Sequence, residues 1–283
     1  MRVSVERIRR KRTRKSVAVP SAAHLGLSTM TAIEDLVCPE RYPLSSKYDP
    51  AWLLGLDMGP NPLWMLEDLA RDLELKPRMR VLDLGSGKGA TSVFLAREYG
   101  VQVVAADLWI APEDAAAVFA EAGVADRVTA VRAEAHALPF GKEYFDAIVS
   151  IDAFEYFGTA DSYLPYLLRF LRPGGQVGMA TPAMSREVRE LGAIPEHIER
   201  LFGWEAMAWH TPEWWRFQWE ITKQVDVICA RLQEHGWQDW LAWERACAEY
   251  RPEKLAEYLA RIDVLNVDGG ELLSFALLAA RKR

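Results

Sequence analysis

The chain has 283 residues, half of them apolar and 26% charged, with a net charge of −6; that balance belongs to a folded globular protein with room for one large domain and additions to it. No run of about 18 apolar residues occurs, which excludes a hydrophobic membrane-spanning helix. Cys38, Cys229 and Cys247 are scattered without a CxxC pair, which excludes a disulfide scaffold and a cysteine metal site, so we expect reduced thiols, no metal centre and a cytoplasmic protein.

In chain order, the first segment is basic. "MRVSVERIRRKRTRK" sets eight Arg and Lys residues against Glu6 alone. Such a block repels itself and stays solvated, so residues 1–45 are expected to be a disordered extension, or else the start codon lies upstream of a working protein that begins near Met30. A nucleic-acid or anionic-membrane arm and a targeting segment are the other readings. Asn61 then Pro62 is a helix cap followed by a first-turn residue. It opens a helix with Met65, Leu66, Leu69 and Leu73 on one face, ended by Pro77. Strands are expected at 80–84, 101–107, 127–133, 145–151 and 176–180. Helices are expected in "TSVFLAREYG", "APEDAAAVFAEAG" and "SYLPYLLRF", the last followed by a Pro-Gly-Gly turn. Apolar strands alternating with helices predict a parallel sheet covered on both faces. Beyond it, "TPEWWRFQWEITKQ" reads as a capped helix, "VDVICARL" as a sixth strand and "LLSFALLAARKR" as a last one, leaving 233–271 as a largely helical insertion.

The chemistry gathers in "VLDLGSGKGATSVFLA" (81–96). A P-loop needs G-x-x-x-x-G-K-[ST], but Lys88 is followed by Gly89 and Leu82 stands where the first glycine should be. A dinucleotide loop needs G-x-G-x-x-G, and Gly85, Gly87 and Gly89 are spaced G-x-G-x-G. Asp83, at the strand end, suits a cationic ligand better than a diphosphate. "VLDLGSGKG" resembles the first motif of class I S-adenosylmethionine (SAM)-dependent methyltransferases. "VVAAD", "AEAHALPF", "FDAIVSIDAFEYFG" and "LLRFLRPGGQVGMATP" resemble the segments that follow it in that family, in the same order.

The resemblance covers roughly residues 48–184. It implies an α/β, Rossmann-like, seven-stranded, mostly parallel sheet with helices on both faces and SAM as cofactor. Asp83, Gly85, Ser86, Gly87 and Gly89 would cradle it, Asp107 would take the ribose hydroxyls with Leu108 beside it, Glu134 and the Ala135 backbone would read the adenine edge, and Ser150 would close the set. Glu134 and Ala133 stand where the family has Asp and Gly. Lys88 reads as a solvated helix-start lysine and His136 as structural. The order "GPNPLWMLEDL … GSGKGATS … SIDAFEYFG … HTPEWWRFQWE" is similar to bacterial methyltransferases loosely labelled cyclopropane-synthase-like, a likeness of fold that names no substrate.

The donor methyl should point past the fourth strand, making Asp152, Glu155 and Tyr156 the candidates for a proton acceptor; many members of the family carry His where Glu155 stands. His210 is a second candidate. Domain 46–283 would then carry cap elements at 184–224 and 233–271. Eight of eleven tryptophans fall in 204–243. Most are expected to be packing residues, with Trp214, Trp215 and Trp240 expected to face the acceptor. The reading that follows is methyl transfer to a small-molecule O or N acceptor. A nucleic-acid or protein methyltransferase using the basic tail is the alternative, disfavoured by the acidic body. A non-catalytic SAM-binding protein is the second alternative, and self-association into a homo-oligomer is open.

Overall fold

A computed structural model describes residues 33–283; the basic stretch and Met30 lie outside the described residues. The sheet has seven strands: β1 Arg80–Leu84, β2 Gln102–Asp107, β3 Val128–Arg132, β4 Phe145–Ile151, β5 Leu171–Met184, β6 Val225–Leu232 and β7 Leu273–Lys282. Their order is β3-β2-β1-β4-β5-β7-β6. The first five run parallel, and β7 is antiparallel to both β5 and β6. The helices, in chain order, are α1 Pro50–Gly55, α2 Pro62–Ala70, α3 Ala90–Glu98, α4 Pro112–Glu121, α5 Tyr163–Leu167, α6 Val188–Leu191, α7 Glu196–Phe202, α8 Pro212–Glu220, α9 Gly236–Tyr250 and α10 Leu255–Asp268.

The expected layers follow from burial. β1, β4 and β7 are buried nearly throughout, which requires apolar residues on both strand faces. One apolar cluster lies on the side of α2, α3, α9 and α10, the other on the side of α5 and α8. The Asn61 side chain accepts from Leu63 and Trp64 N–H, the cap that starts α2. None of the helices among the described residues is long and apolar enough to cross a membrane.

Several boundaries differ from expectation, each for a physical reason. β5 runs on to Met184 because β7 pairs with it down to Leu273. The Pro-Gly-Gly segment is a bulge inside the β4–β5 pairing: Phe145 faces Leu171 while Ala147 faces Gln176, and Arg172 pairs with Asp146 at 2.5 Å. The helix expected over 211–224 stops at Glu220. The insertion 233–271 is helical, as α9 and α10. Residues 33–45 are not a loose extension. Tyr42 donates to Asp239 on α9 at 2.5 Å, and the backbone N–H groups of Leu44 and Ser45 donate to Glu67 on α2. This segment therefore straps two helices together.

Candidate functional site

The β1–α3 turn is built to bring backbone to a ligand. Gly85, Gly87 and Gly89 all have positive φ, where a side chain is strained. A Cβ on Gly85 would meet Ala153 at 2.4 Å, and one on Gly89 would meet the Phe119 ring at 2.3 Å. The loop floors a cleft of about 280 Å³ that opens at the carboxyl ends of β1, β2 and β4, the position where doubly wound sheets bind ligands.

The structure brings most of the sequence-assigned cleft residues together. Gly85, Ser86, Gly87, Asp107, Leu108, Glu134, Ala135, Asp152 and Tyr156 line the cleft. Asp107 takes the N–H of Gly87 on one oxygen, and those of Trp109 and Ile110 on the other. A carboxylate has about four acceptor sites, so capacity for a ligand hydroxyl remains. Glu134 is exposed and accepts from the backbone and ring of His136, interactions that lower its pKa.

Four assignments are corrected. Gly89 does not line the cleft; its α-carbon packs against the Phe119 ring and it starts α3. Asp83 does not line the cleft. It is fully buried behind the turn, and one oxygen accepts from Thr91 and Ser92 at 2.6 Å each. Its other oxygen has no partner, and burial pushes its pKa up to about 6. Ser150 is also buried, its hydroxyl donating to the Leu84 carbonyl at 2.8 Å, so it ties β4 to β1. His210 lines neither cavity of the site. It stacks on Trp214 with centroids 3.6 Å apart and pairs with Glu187 at 2.9 Å. Burial lowers its pKa against the pull of Glu187. Glu187 also accepts from Thr211 N–H, so this group fixes the start of α8.

A second cavity of about 480 Å³ adjoins the cleft. The two share Met58, Gly59, Pro60, Asp152 and Tyr156. Its far wall comes from the cap and includes Trp204, Trp209, Trp240 and Glu244, with Glu155 at its inner end. The expected division among tryptophans therefore changes. Trp240 does line this chamber, but Trp215 is fully buried on the opposite face of the sheet against Phe154, and Trp214 is spent on His210.

Asp152 and Glu155 form the electrostatic centre. Asp152 has φ +53°, and its side chain has no hydrogen-bond partner among the described residues. Burial, then the nearby Glu155, Glu244 and Asp57, raise its pKa well above the ordinary carboxylate range. Glu155 is 5% exposed; burial raises its pKa to about 7, although the Thr181 hydroxyl donates to it.

The strip Asp57–Pro60 had no assigned role in the sequence. Its signals were its place just before the Asn61-Pro62 cap and the appearance of Gly59 and Pro60 at the head of "GPNPLWMLEDL". Asp57 accepts from Tyr258 at 2.8 Å and from Trp243 at 3.3 Å, while the Gly59 carbonyl accepts from Trp243 Nε1 at 2.8 Å. A Cβ on Gly59 would sit 2.1 Å from the Asp152 carboxylate, so only glycine permits this approach. Trp109 was likewise unassigned. It is 69% exposed and meets Tyr156 edge-on at 5.9 Å at the cleft mouth. Among the described residues no group of three or more His, Cys, Asp or Glu is placed to hold a metal ion.

Comparison with known proteins finds relatives for these features. Residues 81–175 match the methyltransferase-domain family model. The methyltransferase GfsG of Streptomyces halstedii is 33% identical over 118 residues, covering 41% of this chain and 42% of that protein. The matched stretches span less than half the length of GfsG and of the sterol 24-C-methyltransferase of Yarrowia lipolytica. Among solved structures, phosphoethanolamine N-methyltransferase 2 of Haemonchus contortus, in complex with SAM, superposes with a TM-score of 0.65 at 20% identity, over 89% of this chain and 60% of that one. The [4+2]-cyclase SpnF gives a TM-score of 0.65 at 17% identity, over 88% and 96%. The match on β1 through the start of β5 is to a methyltransferase domain, and the sheet that carries it has the fold of solved SAM-dependent methyltransferases.

Proposed function

We propose that the protein moves a methyl group from SAM to a small-molecule O or N acceptor, with the cleft holding the donor and the adjoining chamber holding the acceptor. The observation that carries this reading is the meeting of the two cavities at Asp152 and Tyr156. The cleft fits an adenosyl donor: the glycine turn offers backbone where side chains cannot stand, Asp107 faces it with acceptor capacity in hand, and among the described residues its basic side chains are Lys88, turned to the Gly55 and Asp57 carbonyls, and His136, paired with Glu134. Bound there, the donor would supply a sulfonium-activated methyl group.

The rest falls to the chain's own residues. The turn and Asp107 would hold the nucleoside end. The chamber would fix the acceptor against the methyl, and positioning of this kind supplies about 7–11 kcal/mol in favourable cases. The Asp152–Glu155 pair would take the acceptor's proton, because a raised carboxylate pKa is matched to proton transfer near neutrality. The aromatic cap would keep water out.

Isothermal calorimetry with SAM and with S-adenosylhomocysteine, and release of the latter on turnover, test the reading. Heat with NAD or ATP and none with either nucleoside would overturn it. Asp107→Ala is expected to weaken SAM binding by about 1–3 kcal/mol, the range for losing hydrogen bonds to a charged group; an unchanged affinity in a folded variant rejects the ribose role.

A second reading has one observation behind it. The cyclase SpnF shares this fold, so the fold alone does not require methyl transfer. A nucleic-acid acceptor is disfavoured, since six carboxylates and two cations line the chamber, the wrong sign for a polyanion.

A further inference from the structure

We infer that the acceptor is a cationic amine carried on an apolar body, its ammonium seated between Asp152 and Glu155 and its body among the cap tryptophans. This rests on the proposed function and names the substrate class of that site. Two independent features support it. The first is the composition of the chamber wall, where aromatic rings alternate with carboxylates: Tyr156, Trp204, Trp209 and Trp240 stand with Glu205 and Glu244. Rings and carboxylates together favour an organic cation, which gains from both the ring faces and the charge.

The second is the unmet demand of two neighbouring carboxylates, Glu155 buried and Asp152 half-buried. Glu155 is buried at the inner end, held by the Thr181 hydroxyl and its own backbone N–H and by no cation. Asp152 has none among the described residues. Other acids of the wall are already engaged. Glu244 is held by Arg261 at 2.7 Å and by Trp240 Nε1 at 3.1 Å, and Asp57 is held by Tyr258 and Trp243. Arg261 is thereby spent, and of the lining cations only Lys254 remains. Burying a carboxylate without a counter-charge is costly. An ammonium would supply that charge; a carboxylate acceptor would add to the repulsion, and a neutral alcohol would leave the charge uncompensated.

The chemistry balances. One N–H proton of the ammonium passes to the carboxylate pair, freeing the nitrogen lone pair. The N–C bond to the methyl forms as the donor's C–S bond breaks, and the electron pair of that bond goes to sulfur. The methylated ammonium and S-adenosylhomocysteine are the products.

Calorimetry on the full-length protein decides it. With S-adenosylhomocysteine present, arylalkyl amines from benzylamine to tryptamine are titrated beside the matched alcohols and carboxylic acids at one pH. At least one amine is expected to bind tenfold or more tighter than its alcohol, and the acids not at all. Glu155→Gln keeps an acceptor for Thr181 and should weaken that amine at least fivefold while leaving the alcohol unchanged. Glu205→Gln, at an exposed position, should weaken the amine to a smaller extent without risk to the fold. Alcohols binding as tightly as amines, no amine binding at all, or an amine indifferent to both variants would overturn the inference. Heat from S-adenosylhomocysteine itself reads the earlier proposal separately, and the amine-to-alcohol ratio is measured on the same sample in either case.

Discussion

Glu155→Gln should lower turnover by about 10²–10⁴-fold, the span of general-base contributions, while the affinity for SAM changes little. The substitution keeps size and the acceptor for Thr181, so the loss isolates the proton-accepting function. Its pH signature follows from the environment of the pair. Glu155 faces Asp152 and Thr181 on its own side, Tyr156 beside it, and Asp57, Glu244, Lys254 and Arg261 across the chamber. With the Glu155 pKa near 7, kcat/KM of the wild type should rise with pH through about 7 and then level off. The Gln variant should lack that limb, and a variant with unchanged turnover and the same pH profile would remove Glu155 from the chemistry.

Stability runs the other way. A carboxyl whose pKa is raised on folding favours the protonated native state. Its contribution is complete below the ordinary Glu value of about 4.3 and is lost as pH rises through about 7. Asp83 and Glu244, each raised to about 6, add slope of the same sign. The melting temperature should fall between pH 5 and 8, and less so in Glu155→Gln. The residue proposed as the proton acceptor at neutral pH therefore weakens the fold there.

Trp243→Ala should cost about 3–5 kcal/mol of stability, the range for emptying an aromatic core site, or about 10 °C in melting temperature for a domain of this size. Trp243 is fully buried, edge-on to Trp64, and its Nε1 holds the Gly59 carbonyl. The strip that floors both cavities should loosen with it, so the affinities for donor and acceptor should both fall. Trp204→Ala is the contrast. Trp204 is 79% exposed at the chamber rim, so stability should stay within about 0.5 kcal/mol while acceptor KM rises. Chemical denaturation of both variants, with donor binding measured alongside, checks the pair; equal losses in the two would mean the rim tryptophan is part of the core.

These two residues also illustrate what a linear reading can reach. β1, β2 and β4 are legible because a strand buried on both faces must be an apolar run, and the glycine turn is legible because backbone conformation dictates its spacing. Asp107 and Glu134 reach the cleft from strand ends fixed by the same pattern. The sorting of tryptophans is different. Trp215 and Trp219 sit four apart on α8 and both face the core, yet nothing in "PEWWRFQWE" tells that face from the one bearing Trp214. Only the sheet beneath α8 decides it. His210 looked catalytic beside a helix start, where its actual partner is Glu187, far off in sequence. The Asp57–Pro60 strip escaped notice because its meaning lies in contacts with Asp152 and Trp243, 90 and more residues away.

The antiparallel seat of β7 between β5 and β6 carries a consequence for the protein's assembly during translation. β6 leaves the ribosome before β7, yet it touches the sheet only through β7. Until β7 arrives, the long outer edge of β5 presents unpaired N–H and C=O groups, and a nascent β6 has no berth. Open strand edges of this kind recruit other chains, and pairings that must wait for distant sequence form slowly. The half that carries the glycine turn can thus mature on the ribosome while the half that carries the cap is still unanchored, which makes β7 the step at which a stalled or shortened nascent chain becomes prone to aggregate.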